Sequence, residues 1–325
     1  MPTVMRPAAT KLVIACLDEG PAGSAAACIG GALARRLCSR LVLATVAPAA
    51  QGRSILLRQG RSVLQDAAAG VGPDPELCVE VGEPAERLVS LAQRERADLV
   101  VVGVPVGASA ATPRLGSVYL ALAGTSPCPV VIVPPSVQDL AQAAGPVVCG
   151  VDGSEESLVA ARIAVELARQ LEAPVQLVHV TGRPRLAGQP GDQRGYAARL
   201  VASHAAAMRV LLRAEDVPPA VLDLRVELGS PAERLADVAA REGALMIVNG
   251  SQGRGSTRSR LLGSVSSELA LSAVQPLVLV PQGAGAGRPG HSRTPIEQAR
   301  PPGRARVRRP RPARPAITRL PSRRR

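Results

Sequence analysis

Short runs of uninterrupted apolar residues alternate along this chain with segments whose apolar positions recur every three or four residues. Val147-Val148-Cys149-Gly150-Val151 is one such run, short and apolar on both of its alternating faces, as a strand buried in a parallel sheet requires. After it, Ser154 can cap a helix whose first turn carries Glu155 and Glu156, with Val159, Ile163, Leu167 and Leu171 as its apolar stripe. The two glutamates suit the positive end of that helix and are read as solvated dipole partners, not as an acid/base pair. Leu177–Val180 reads as a second strand, Arg194–Arg213 as a helix and Val221–Leu228 as a third strand. Pro231 fits the first turn of a helix reaching Arg241. Ala244–Asn249 is a fourth strand, Ser264–Ala273 a last helix and Leu277–Val280 a last strand. Strands and helices in this rhythm predict an α/β fold: an open, mainly parallel sheet with helices on both faces.

The series is written twice. Gly82-Glu83-Pro84-Ala85-Glu86-Arg87-Leu88 recurs 147 residues later as Gly229-Ser230-Pro231-Ala232-Glu233-Arg234-Leu235, and Leu115-Gly116-Ser117-Val118 recurs as Leu262-Gly263-Ser264-Val265. Both copies close on a Pro-apolar-Val-apolar-Val-Pro segment, Pro129–Pro134 and Pro276–Pro281. Upstream the shift becomes 134, pairing Asp18 with Asp152 and Val46 with Val180, so the second copy carries 13 extra residues between Val180 and Gly229. The expectation is two tandem, Rossmann-like, five-stranded domains at 8–135 and 146–282, a linker at 136–145 and a tail at 283–325.

Composition narrows the possible functions. With 325 residues, 46% hydrophobic and 20% charged, the chain is neither fibrous nor wholly disordered. Its apolar runs fall short of a membrane span, and Leu12–Leu17 is broken by Asp18 and Glu19, so a soluble, cytoplasmic chain without a signal peptide is expected. The net charge of +13 suggests a nucleic-acid partner until it is divided by region. Residues 283–325 hold 13 Arg against the single acid Glu297, which leaves the body close to neutral. Phe and Trp are absent and Tyr occurs only at Tyr119 and Tyr196, so there is no stacking platform for single-stranded nucleic acid. Ala, Gly, Pro and Arg in excess, with one lysine, Lys11, resemble a GC-rich coding background, which lowers the meaning of each Arg. Cys16, Cys28, Cys38, Cys78, Cys128 and Cys149 are spread singly, without C-x-x-C, and read as buried reduced thiols. His179, His204 and His291 lie far apart without ligand spacing, and His179 reads as a packed strand residue. With no H-E-x-x-H, nucleophile elbow or cysteine cluster, neither a catalytic constellation nor a metal site is expected.

The most informative residues follow the fourth strand of the second copy. Gly250-Ser251-Gln252-Gly253, nine residues, then Gly263-Ser264 spell G-x-x-G-x9-G-[ST]. Gly250 leaves the carboxyl end of a strand, where open α/β sheets bind ligands, and Gly263-Ser264 opens a helix whose free N–H groups suit an anion. Glycines there let backbone amides approach phosphate oxygens, and the Ser264 hydroxyl can donate as well. A Walker loop is excluded because no Gly-Lys-[Ser/Thr] exists, and a dinucleotide fingerprint because the glycines follow the fourth strand and not the first. Asp152, at the end of the first strand, faces the same crevice, either as acceptor for a base or ribose or as a turn residue before the helix.

These residues, with Val151-Asp152-Gly153-Ser154 and the closing Pro276–Pro281 strand, resemble the universal stress protein family in its tandem two-domain form, over residues 8–281. The resemblance implies a fold like that of the adenine nucleotide alpha hydrolases and ATP as ligand, with or without Mg²⁺. It places the first-strand aspartate near adenine and the glycine loop on ribose and phosphates. Carried onto this chain, the nucleotide-binding residues are Asp152, Gly250, Ser251, Gly253, Arg254, Gly263, Ser264 and Val265. The resemblance further implies domain pairing through the terminal strands, within the chain or as a homodimer. The first copy keeps Asp18, Gly103, Gly116 and Ser117, but Val106 stands at the second glycine position, between Pro105 and Gly107. A β-branched residue resists positive φ and crowds phosphates, so the first site is expected to be weak or empty unless Gly107 is used instead.

The expected function is therefore that of an ATP-binding regulator or sensor in the stress response, at most a slow ATPase since no lysine reaches the phosphates. The alternative is a nucleotide-independent scaffold or a nucleic-acid-associated protein acting through its tail. That tail, with eight Pro, 13 Arg and few apolar residues, has too little to bury for a core of its own and is expected to be disordered. It reads either as solvated sequence or as a polyanion or membrane-surface contact without sequence preference. The electrostatic reading predicts that truncation after Gln282 abolishes retention on heparin and leaves MgATP binding unchanged. Equal retention of the truncated chain would remove it.

Overall fold

Runs that are apolar at every position become strands covered on both faces. A computed structural model of the chain describes residues 11–18, 20–47, 53–71, 74–104, 116–134, 136–137, 139–140, 144–182, 190–214, 223–253 and 262–282. The first half is β1 (Leu12–Leu17), α1 (Pro21–Arg36), β2 (Arg40–Ala47), α2 (Arg53–Ala68), β3 (Glu76–Val81), α3 (Pro84–Arg94), β4 (Leu99–Gly103), α4 (Ser117–Thr125) and β5 (Val130–Val133). The second half repeats it as β6 (Val147–Gly150), α5 (Glu155–Gln170), β7 (Val175–Thr181), α6 (Pro190–Ala214), β8 (Leu224–Leu228), α7 (Pro231–Arg241), β9 (Met246–Gly250), α8 (Ser264–Ser272) and β10 (Leu277–Val280). Every residue of β4, β5, β6 and β10 is buried. The helix expected at Arg194–Arg213 starts four residues earlier, at Pro190, because proline is well tolerated in a first helical turn. Tail residues 283–325 lie outside the described residues.

The two five-stranded sheets join into one of ten strands, in the order β3-β2-β1-β4-β5-β10-β9-β6-β7-β8. Within each half all neighbours are parallel. At the centre β5 and β10 pair antiparallel, with Leu277 opposite Ile132, Val278 opposite Val131 and Leu279 opposite Val130. The pairing through terminal strands is thus made within the chain. A bare apolar edge of four residues invites pairing, and each half supplies the partner the other needs. The outer edges are β3 and β8, and both carry charge: Arg40 grips Glu76 through two nitrogens, Arg94 meets Glu80, and Arg225 meets Glu227. Charged residues on an edge discourage further strand addition.

Alternation along the strands sorts the core into two layers that each run across both halves. Val13, Ala15, Val131, Val278 and Val280 face α1, α2, α5 and α6. Ile14, Val130, Ile132, Leu277 and Leu279 face α3, α4, α7 and α8. The linker is anchored to the first layer: Leu140 is buried, and its carbonyl accepts a hydrogen bond from Arg36 Nη2 at 2.9 Å. Of the six cysteines only Cys128 and Cys149 are buried; Cys16, Cys28 and Cys78 are partly covered and Cys38 is exposed. Cys38 departs from the expectation because it sits at the C-terminal turn of α1 with φ +50°. Among the described residues no helix is long and apolar enough to cross a membrane.

The junction generates a prediction. Val278 is fully buried between two helical layers, so Val278→Asp places a carboxylate there without a designed partner. It should cost about 3 kcal/mol or more and split or abolish the cooperative transition in denaturant unfolding. Val278→Ile should cost less than about 1.5 kcal/mol.

Candidate functional site

The strand order reverses between β1 and β4 and again between β6 and β9, so connections leave in opposite directions and a crevice opens at the carboxyl ends of those strands. Because β5 and β10 are antiparallel, the two crevices open at opposite ends of the sheet. In the second half, β6 gives way to Val151-Asp152-Gly153-Ser154. The Ser154 side chain caps α5 by accepting from the Ser157 N–H at 3.2 Å, as expected. Its own N–H and Oγ donate to Asp152 Oδ1, at 2.9 and 2.6 Å. Ser157 Oγ accepts the N–H groups of Asp152 and Gly153, at 3.2 and 3.1 Å. Gly153 has φ +82°, a conformation the turn requires and glycine supplies without strain. Asp152 is thus a turn residue through one oxygen, while its other oxygen faces the loop that follows β9.

That loop begins where Ser251 extends the ladder, its N–H donating to Val280 O at 2.9 Å. The Ser251 carbonyl then accepts the N–H of Gly263 at 2.8 Å, which ties the cap of α8 to the end of β9. A second tie comes from Ser266, whose Oγ donates to Gly250 O at 2.7 Å and accepts Asn249 Nδ2 at 2.7 Å. A Cβ on Gly253 would stand 2.8 Å from Asp152 Oδ2, so only glycine lets the loop come this close to the carboxylate. Gly263 caps α8 without a side-chain hydrogen bond, so the first-turn amides at Ser264 and Val265 lack intrahelical partners. Ser264 is exposed at this mouth. Val265 packs its side chain on the core and offers the crevice its backbone alone. The fold therefore brings Asp152, Gly250, Ser251, Gly253, Gly263, Ser264 and Val265 together, and Arg254 lies outside the described residues.

In the first half, Asp18 Oδ1 accepts the N–H groups of Gly20 and Gly23, at 3.0 and 2.8 Å. The N-cap of α1 is Gly20, which has no acceptor, so Asp18 does for α1 what Ser154 does for α5. Gly103 ends β4, Gly116 caps α4 and Ser117 opens it. Val106 lies outside the described residues. Tyr119 donates its hydroxyl to Gly103 O, the place Ser266 fills at Gly250 O. Burial first, then the charges of Asp18 and Cys16, push the Tyr119 phenol well above its ordinary value. Burial alone does the same to the Cys149 thiol, while Cys128, also mainly through burial, rises to about 11.

Asn249, Ser266 and Ser157 belong to this site without standing in the glycine pattern. Asn249 had a signal, as the polar residue directly after Met246-Ile247-Val248, with poor strand propensity. Ser266 and Ser157 had none beyond their place in a first helical turn. The histidines correct another expectation. His179 is buried as expected, but His204, 25 residues on, meets it: His179 Nε2 lies 2.9 Å from His204 Nδ1. His179 Nδ1 is 2.7 Å from Val151 O, which can only accept, so the pair props the backbone directly before Asp152. Among the described residues no group of three His, Cys, Asp or Glu could hold a metal.

Comparison with known proteins decides the family. The sequence profile of the universal stress protein family matches twice, at residues 10–134 and 144–281. The chain belongs to the universal stress protein family. Two universal stress proteins of Mycobacterium tuberculosis are similar to it. One is 28% identical over 69% of this chain and 77% of its own length. The other is 31% identical over 69% and 74%. A universal stress protein from Archaeoglobus fulgidus shares the fold over 85% of this chain and 100% of its own, with TM-score 0.60 and 16% identity. A second fold match, a putative universal stress protein from Pseudomonas aeruginosa, has TM-score 0.58 and 15% identity over 85% of this chain and 94% of its own. In this universal stress protein, Ser266→Ala removes one hydrogen bond each from Gly250 O and Asn249 Nδ2, which keep their bond to each other at 3.1 Å. The change should lower unfolding free energy by about 0.5–1.5 kcal/mol in a denaturant titration.

Proposed function

We propose that this chain binds ATP, with Mg²⁺ carried on the phosphates, in the second-half crevice, and that it works in the stress response as a cytoplasmic regulator or sensor. The observation that carries this reading is the joining of two otherwise distant elements. The uncapped end of α8 is tied to the carboxyl end of β9 by Gly263 N–H to Ser251 O, beside Asp152. An uncapped helix end with its dipole and open amides attracts phosphate oxygens. The close approach of Gly253 to Asp152 Oδ2 leaves no Cβ between the loop and the carboxylate. In this reading Gly263, Ser264 and Val265 take the phosphates through backbone amides and the Ser264 hydroxyl. Gly250, Ser251, Gly253 and Arg254 follow the ribose and phosphates, and Asp152 accepts from the base or sugar. Arg254 would add a positive charge to the loop.

The reading is one of binding and not of turnover. The single lysine, Lys11, precedes β1, and no described acid or histidine stands in the loop where a water would be activated. Hydrolysis would then be slow, and the signal would be the shape or the partner surface that bound nucleotide stabilises.

Calorimetric titration of MgATP into the full chain tests the proposal. One site per chain is expected, lost in Gly263→Val, whose side chain meets Ser251 O and Gln252, and weakened about tenfold in Asp152→Asn. Saturation at a hundred times Kd should raise unfolding free energy by about 2.7 kcal/mol. A folded wild-type chain that takes up no MgATP would overturn the nucleotide reading.

A further inference from the structure

The two halves share a plan, yet their crevices are built differently, and the difference centres on one side chain. Tyr119 stands in the first turn of α4 at the position Ser266 holds in α8. Both hydroxyls donate to the carbonyl of the strand-ending glycine, Tyr119 to Gly103 and Ser266 to Gly250. A tyrosine must reach that carbonyl across a whole phenyl ring, whereas serine reaches it over one carbon. The ring lies against the cap, its Cδ2 and Cε2 being 3.3 and 3.4 Å from where a Cβ on Gly116 would stand. It therefore spans the gap between the cap of α4 and the end of β4.

The hydrogen bonds register the consequence. Ser251 N–H to Val280 O has its counterpart in Val104 N–H to Val133 O, both at 2.9 Å. Gly263 N–H to Ser251 O, at 2.8 Å, has none: among the described residues Gly116 N–H makes no bond to Val104 O. From the other face α1 presses closer than α5. A Cβ on Gly103 would lie 1.9 Å from Ala22 O, while the nearest α5 backbone atom to a Cβ on Gly250 is 3.2 Å away, at Glu156. Asp18, engaged by two amides of the α1 turn, is held to capping.

We infer that Tyr119 is the wedge that keeps the first half from assembling a nucleotide cradle, so that the chain binds through one half because of this residue and not through Val106 alone. The inference rests on the nucleotide reading of the second half. Its physical content is that an anion cradle needs the helix cap and the strand end joined, as Gly263 and Ser251 are, and a ring inserted between them prevents it.

Calorimetry on the full chain separates the two causes. Val106→Gly alone should still bind one MgATP, and Val106→Gly with Tyr119→Ser should bind two. Two sites in Val106→Gly alone would overturn the inference, as would one site in the double variant with an unchanged melting curve. Amide hydrogen exchange supplies a readout that needs no nucleotide and so distinguishes failure of the wedge from failure of the ATP reading. Tyr119→Ser should slow exchange at Gly116 about tenfold, as its N–H takes up the bond to Val104 that Gly263 makes to Ser251. Unchanged exchange at Gly116 would overturn the wedge whether or not the wild-type chain binds MgATP.

Discussion

The antiparallel pairing of β5 with β10 holds the rest of this molecule in place. Each half ends in a strand that is apolar at all four positions, so each half alone would present a bare, sticky edge. Joining the two edges covers both and merges two layers of core across the whole sheet. The remaining edges, β3 and β8, carry ion pairs instead. The pairing also sets the direction of everything attached to it, since it turns the strands of one half opposite to those of the other. The two carboxyl-end crevices consequently face away from each other, and each is built from its own half.

Within a half, the sheet order creates the crevice and the turn chemistry shapes it. Strand ends at a reversal point are left without a crossing connection, and polar turns from two separate segments meet there. In the second half those turns interlock: Asp152 steadies Ser154, Ser154 caps α5, Ser251 holds the cap of α8, and Ser266 with Asn249 holds the last carbonyl of β9. Such hydroxyl and carboxylate bridges fix loop backbones without bulky side chains, and so leave room at the mouth. The first half keeps the sheet and the glycines but swaps the bridging groups. Its aspartate caps a helix whose N-cap residue is glycine, and a tyrosine stands where the other half has its first-turn serine. The two halves share what the sheet needs and differ in the groups at the ends of β4 and β9.

Much of this was legible in order. The doubled Gly-x-Pro-Ala-Glu-Arg-Leu segment announced two copies, and all-apolar runs such as Leu277–Val280 announced strands buried on both faces. Ser154 announced a cap, and the cap is there. The glycine pattern named residues that the fold does gather at one crevice, because glycine spacing at strand ends and helix starts is a local property. Asn249 could have been found as the polar residue in an apolar strand. Val106 carried the expectation of a weak first site because its departure from the glycine pattern is visible in one dimension.

What the sequence by itself determined is local or periodic: strand and helix, caps, turn glycines, repeat and charge distribution, each set by residues within a few positions of one another. The tertiary structure alone decided which edges met, that the two sheets became one, and that their crevices face apart. It also decided that His204 closes on His179 under Val151 and that Tyr119 stands between Gly116 and Gly103. These are contacts between distant segments, and a side chain's reach across a gap depends on the distance between two backbones. That distance is fixed only when the layers pack.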